Sequence, residues 1–193
     1  MKRYNLLIVL LLLIFNLTTA QKNAPAADFS AIGEAKTKIE NTVPLAIKHL
    51  KEISEKENDP NILSNGKVAL SKEYAKVELE WRLYRGNMNS CILNNSSKKA
   101  RKCMDYHTSM FRGTLINYNN YITNLTRKNG YLGVEGDTKF ELNPIEITTK
   151  LSQSYSNGSS AANRMKGSQK KEFLGQTMAD DNALTPYNQL ATQ

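Results

Sequence analysis

The sequence predicts an all-α fold: an antiparallel bundle of three long helices, with a short fourth helix and a flexible C-terminal tail. Three observations carry this expectation. Leu70, Tyr74, Val77, Trp81, Tyr84, Met88 and Cys91 recur at alternating steps of four and three, the period of an a/d seam. Ala100, Met104, His107, Phe111, Thr114, Tyr118, Tyr121 and Leu125 repeat the same alternation. Between the two seams lies the turn-forming run NNSS at 94–97, with Cys91 before it and Cys103 after it. Seams of matched length joined by a short link form an antiparallel helical hairpin. Folding at 94–97 brings the two cysteines level, so a disulfide is expected to close the hairpin.

The chain opens with an export signal. Lys2 and Arg3 precede an unbroken apolar run, LLIVLLLLIF at 6–15, and Thr18 and Ala20 supply small residues for a cut before Gln21. This is the three-part pattern of a secretory signal peptide over residues 1–20. The apolar run is about half the ~20 residues that a membrane-spanning helix needs, so cleavage is expected rather than anchorage. No other segment approaches spanning length, and no transmembrane anchor is expected after cleavage. Residues 21–27 read as a flexible leader, 28–156 as the helical bundle domain and 157–193 as a polar, largely flexible tail with a weak helix around Ala161 to Phe173.

The first helix is expected from Asp28, a good N-cap residue, to about Lys56. Phe29, Ile32, Ile39, Val43, Ile47, Leu50 and Ile53 give it helical period. Pro44 should kink or split it, because proline lacks the N–H and its ring clashes with the preceding turn. Residues 54–66 (SEKENDPNILSNG) are dense in turn formers and read as a connection. The second helix follows on its seam, with charges on the other faces and Glu78 and Arg82 at i, i+4 in the favourable order. The third helix should stop at Asn129-Gly130. Residues 131–142 (YLGVEGDTKFEL) resemble a small β-hairpin turning at Glu135-Gly136-Asp137. Asn143-Pro144-Ile145-Glu146 reads as an N-cap, Pro at N1 and a capping Glu. The short fourth helix that follows should run to about Ser156, with Ile145, Thr148, Leu151 and Tyr155 on one face.

Two cysteines in an exported chain imply one structural bridge, Cys91–Cys103, worth about 3 kcal/mol in the chain-entropy account. The catalytic motifs that a sequence makes legible are missing: there is no HExxH, GxSxG, GxxxxGK, CxxC or CxxCH. Gly130, Gly133 and Gly136 have neither the spacing nor the context of a dinucleotide loop. Asp137-x-Lys139-x-Glu141 places a lysine where a calcium loop needs an oxygen ligand. The only histidines are His49 and His107. A metal site needs three or four ligands, and no carboxylate stands one turn from His107, so no metal, cofactor or catalytic residue is expected.

Charge carries the one functional signal. Without Lys2 and Arg3 the 26 basic residues become 24 against 18 acidic ones, an excess of six. Residues 97–128 hold seven basic residues against Asp105 alone, so the excess concentrates there. Lys98, Lys99, Arg101 and Lys102 crowd the start of the third helix, where positive charge opposes the helix dipole. They form the expected partner-binding patch. Nucleic acid is not an expected partner, because no aromatic residue interleaves the cluster and the chain is exported. A protein of the cell envelope is, with weaker attraction to anionic glycan or lipid headgroups. The expectation is thus an exported, non-enzymatic binding or adaptor protein of the periplasm or cell surface, as in envelope secretion or conjugation assemblies, by architectural analogy alone. The alternatives are an immunity or inhibitor protein that blocks a toxin or hydrolase, and a helical-bundle carrier of a cofactor or ligand.

Overall fold

The computed structural model describes residues 28–127 and 142–193. The expected export signal and leader lie outside these residues, as does the expected β-hairpin apart from Leu142. Among the described residues the protein is all-α. In chain order the helices are α1 (Ser30–Glu40), α2 (Thr42–Lys56), α3 (Pro60–Asn94), α4 (Ser97–Arg127), α5 (Pro144–Ala162), α6 (Gly167–Gly175) and the single turn α7 (Tyr187–Leu190), with two 3-10 turns between α6 and α7.

Of the two outcomes expected at Pro44, a kink or a split, the chain takes the split. The break falls at Asn41, so Pro44 sits in the first turn of α2. There its missing N–H would have had no intrahelical partner in any case. The N-cap position of α1 is Phe29 rather than Asp28, and Asp28 Oδ1 accepts from the Ser30 N–H at 2.9 Å just before the helix.

The second helix starts earlier than expected, because two features read as breakers have other roles. Asp59 caps α3, its Oδ1 accepting from the Asn61 N–H at 2.9 Å, and Pro60 stands at N1. Asp-Pro is a start signal here. Gly66 lies inside α3 against α2. A Cβ placed on it would lie 2.6 and 2.8 Å from the two methyl carbons of Leu50, so glycine permits close helix contact rather than a turn. The chain reverses between α2 and α3 at Asn58, which takes φ 51°. With 35 residues, α3 is about 50 Å long and forms the spine of the molecule.

The α3 seam is borne out residue for residue: Leu70, Tyr74, Val77, Trp81, Tyr84, Met88 and Cys91 are all buried. The α4 seam drifts. Ala100, Met104, Phe111 and Tyr118 are buried, but His107, Thr114, Tyr121 and Leu125 are only half-buried, and Thr108, Leu115 and Ile122 go inside instead. The cause is a third helix. α4 packs on α5 as well as α3, with Arg112 Nε donating to Thr148 Oγ1 at 2.8 Å, so its buried stripe rotates off the strict a/d line. The aromatic seam residues fill the interior ring against ring. Tyr84 stacks on Phe111 at 4.9 Å, Trp81 tilts onto Phe111 at 5.7 Å and Tyr84 meets Tyr155 edge-on at 5.8 Å.

α5 begins as expected, with Asn143 Oδ1 accepting from the Glu146 N–H at 3.1 Å. It turns Ile147 inward in place of Ile145, which is exposed. It also continues past Ser156 to Ala162. Gly158, Ser159, Ala161 and Ala162 are buried, so a small-residue run that resembles a linker is a close-packing helix face.

The largest correction concerns 157–193, which the sequence presents as a flexible tail. Beyond α5 this segment is a strap laid along α3. Leu174, Thr177, Leu184 and Leu190 are buried. Four side chains of α3 donate to its backbone. Asn89 Nδ2 reaches the Leu174 carbonyl at 3.1 Å, Arg85 Nη1 the Thr177 carbonyl at 3.0 Å, Trp81 Nε1 the Asn182 carbonyl at 2.8 Å and the Tyr74 hydroxyl the Thr185 carbonyl at 2.9 Å. Positions 74, 81, 85 and 89 share one face of a helix, so α3 acts as a rail of donors for carbonyls of the irregular strap. From the other side, Glu40 accepts from the Thr185 N–H at 2.6 Å, and Phe29 packs on Phe173 at 5.4 Å.

Candidate functional site

The hairpin end of the bundle holds every site residue expected from sequence. α3 ends at Asn94 and α4 begins at Ser97, leaving a two-residue turn. Asn95 Nδ2 folds back to the Cys91 carbonyl at 3.1 Å, and the Ala100 N–H bonds the Ser96 carbonyl at 2.8 Å. The disulfide is present: Cys91 and Cys103 are bonded, with Cα atoms 5.6 Å apart. It ties α3 about one turn before its end to α4 nearly two turns after its start, so the tip is held by a covalent link and by short local hydrogen bonds.

Lys98, Lys99, Arg101 and Lys102 are all exposed in the first turns of α4, while Ala100 and Met104 face inward. The first turn of α4 carries no acidic residue. None of the four forms an ion pair with a described carboxylate. The ion pairs among the described residues lie elsewhere. Glu146 binds Lys38 at 3.0 Å and Lys150 at 3.3 Å, and its carboxyl is held below the usual range by the hydrogen bond from Lys38 first and from Lys150 second.

The fold enlarges this patch in a way no local reading reveals. Asn163, just after α5, donates from Nδ2 to Ser97 Oγ at 3.3 Å. Arg164 and Lys166 follow one and three residues later, and both are exposed. At 3.8 Å per residue they belong to the same end of the molecule. Six exposed cations therefore gather around the positive N-terminal end of α4. The sequence signal for this was an α5 that runs on through Gly158, bringing its C-terminus level with residue 97.

The two histidines do not converge. His49 lies on α2, with Nδ1 3.7 Å from Glu52. His107 stands one turn after Cys103, its ring edge-on to exposed Tyr106 at 5.1 Å. A ring nitrogen of His107 and the sulfurs of Cys91 and Cys103 all lie within 4.8 Å of one another. Sequence reasoning looked for carboxylates near His107 and missed the cysteine at i−4.

Further down the hairpin a shallow, open groove of about 310 Å³ runs between α3 and α4, walled by Glu73, Lys76, Glu80, Thr114 and Asn117. Arg85, Asn89 and Thr177 are buried polar residues where the strap meets α3. Burial lowers the pKa of Arg85, whose guanidinium sits 5.8 Å from the Trp81 ring centre as well as on the strap carbonyls. Burial pushes Tyr84 up to about 12 and raises Tyr74, Tyr118 and Tyr155.

No protein-family model, curated protein or solved structure matches this chain. No described helix is long and apolar enough to cross a membrane, and the disulfide is the form that cysteines take in an oxidising compartment.

Proposed function

We propose that this chain is an exported, non-enzymatic binding protein of the periplasm or cell surface, and that its stapled hairpin tip docks an acidic face of a protein partner. The observation that carries the reading is the gathering of Arg164 and Lys166 with Lys98, Lys99, Arg101 and Lys102, all exposed and none in an ion pair with a described carboxylate. Uncompensated like charge on one end of a bundle repels itself, and a complementary surface relieves that cost while steering encounter. Export supports a protein partner over nucleic acid, and a tip held by a disulfide loses little further freedom on binding.

The test is a cross-linked pull-down from the native cell envelope with the wild-type chain and with a variant carrying Lys98→Glu, Lys99→Glu, Arg101→Glu and Lys102→Glu. The expected result is an acidic envelope protein captured by the wild type and lost both from the variant and at high salt. Capture of the same protein by both chains, with no salt dependence, refutes the docking patch. A tight one-to-one complex with a toxin or hydrolase would identify the chain as an inhibitor instead.

A further inference from the structure

We infer that the disulfide site is also a latent metal site: when Cys91–Cys103 is reduced, the two thiolates and His107 bind one thiophilic cation such as Zn²⁺. Three observations converge on it. The donor set, two sulfurs and one imidazole, is the soft and borderline set that selects zinc or cuprous copper over magnesium or calcium. The three donor atoms already lie within 4.8 Å of one another. Cys103 and His107 share one face of α4 at i, i+4, and Cys91 faces them from α3, so two elements of a rigid hairpin supply the ligands.

The geometry allows the exchange. Tetrahedral zinc with bonds of about 2.3 Å to sulfur places its two sulfurs about 3.8 Å apart. Rotation of the cysteine side chains reaches that separation with the helices in place. Cys91 is buried, whereas Cys103 and His107 are half-buried, so the site has an outer edge for cation entry. Three protein ligands leave the fourth position to water, the arrangement of an open zinc site rather than a closed structural one.

The redox step balances with a dithiol as the reductant. The dithiol gives two electrons and two protons to the S–S bond and leaves as its own cyclic disulfide, while Cys91 and Cys103 become thiols. Zn²⁺ then displaces the two thiol protons to solvent, forming two Zn–S bonds and one Zn–N bond to His107. Exchange with a second disulfide as the two-electron oxidant re-forms the Cys91–Cys103 bond and releases the cation, and that disulfide takes up two electrons and two solvent protons and leaves as two thiols. The bridge and the metal are thus mutually exclusive occupants of one place, at the neck of the basic tip.

Zinc titration of the full chain, under argon, tests this with the oxidised protein, the phosphine-reduced protein and the reduced His107→Ala variant. A chromophoric chelator reports affinity, and far-UV circular dichroism follows helix content. The reduced wild type should bind one Zn²⁺, the oxidised protein should bind on the order of 100-fold more weakly, and His107→Ala should lose on the order of 100-fold. Cobalt substituted for zinc should show thiolate charge-transfer absorption in the reduced wild type. Equal binding by oxidised and reduced protein overturns the proposal, as does equal binding by reduced wild type and His107→Ala. If reduction unfolds the chain, zinc must restore its helicity, and failure to do so also overturns it. His107→Ala keeps its disulfide when oxidised, so its oxidised melting curve separates a lost ligand from a damaged fold.

Discussion

Gly66→Ala and Gly86→Ala are the same substitution in the same helix, and the structure predicts opposite signs for them. Both glycines lie in the interior of α3, where alanine is favoured by about 0.8–1 kcal/mol on helix propensity. At Gly86 nothing lies within 4 Å of the new Cβ, so that gain should appear almost undiminished. At Gly66 the new Cβ would meet Leu50 at 2.6 and 2.8 Å, and Leu50 is itself buried. Overpacking a filled core costs about 1–3 kcal/mol, which offsets the propensity gain and leaves a net loss of about 1 kcal/mol. The two variants should therefore differ by about 2 kcal/mol. With a urea m-value of about 1–3 kcal/mol/M, circular dichroism would resolve a midpoint separation of about 1 M. The Leu50→Ala background supplies the second half of the cycle. It creates a cavity and destabilises by about 2–5 kcal/mol, but Gly66→Ala added to it should stabilise, because the clash is gone. If Gly66→Ala stabilises the wild type as much as Gly86→Ala does, or costs the same in the Leu50→Ala background, the close α2–α3 contact is wrong.

Three further outcomes follow from the same contacts. Cys91→Ser with Cys103→Ser removes a bridge spanning 12 positions and should cost about 3 kcal/mol, read as a lower urea midpoint for the variant than for the oxidised wild type. Asn89→Ala removes the buried hydrogen bonds of Asn89 to the Leu174 carbonyl and the Thr177 hydroxyl and should cost about 1–3 kcal/mol; limited proteolysis should then cut within 164–193 well before the long helices, and cleavage in α4 first would count against the strap. Alkaline pH should unfold the protein cooperatively. Burial raises the pKa of Tyr74, Tyr84, Tyr118 and Tyr155 above the unfolded value, so their contribution is complete below about pH 10 and is lost as pH rises through the folded values, at up to about 1.4 kcal/mol per pH unit for each phenol. Tyrosinate absorbance from these residues should rise together with loss of helix, whereas full ionisation with helices intact would contradict their burial.

The parts of the fold legible in the sequence were those that repeat. The α3 seam, the α5 cap and the cysteine pair are each written in local spacing, and each stands in the structure as read. The misreadings share a cause: small and polar residues have two uses. Asp59-Pro60 stops one helix by starting the next. Gly66 and Gly158 look like interruptions because nothing in their neighbourhood of sequence states that Leu50, or the packed interior beside α5, needs the room. The strap was unreadable for a related reason. Its buried apolar residues, Leu174, Leu184 and Leu190, have no common period because it is not one helix, and its carbonyls are paired by residues about 85 to 111 positions away. A faint mark existed on α3, where Trp81, Arg85 and Asn89 place donors at i, i+4 and i+8 beside an already complete apolar seam.

The basic tip is the place where local energetics and global fold disagree. Lys98, Lys99, Arg101 and Lys102 stand at the positive end of the α4 dipole, where acidic side chains would each contribute about 0.3–1 kcal/mol and cations cost a similar amount. The fold adds Arg164 and Lys166 to the same end instead of carboxylates. Elsewhere the chain follows the ordinary rules: Glu146 lies in the first turn of α5 and pairs with Lys38 and Lys150. A sequence that caps and charges α5 well yet loads α4 against its dipole has a local conflict, and such conflicts concentrate at functional positions. The disulfide follows directly on the cluster, at Cys103. Its stabilisation, about 3 kcal/mol, exceeds the ~0.3–1 kcal/mol that each cation of the first turn, Lys98 and Lys99, costs against the dipole, so the covalent link more than offsets the local charge conflict at this end of the bundle.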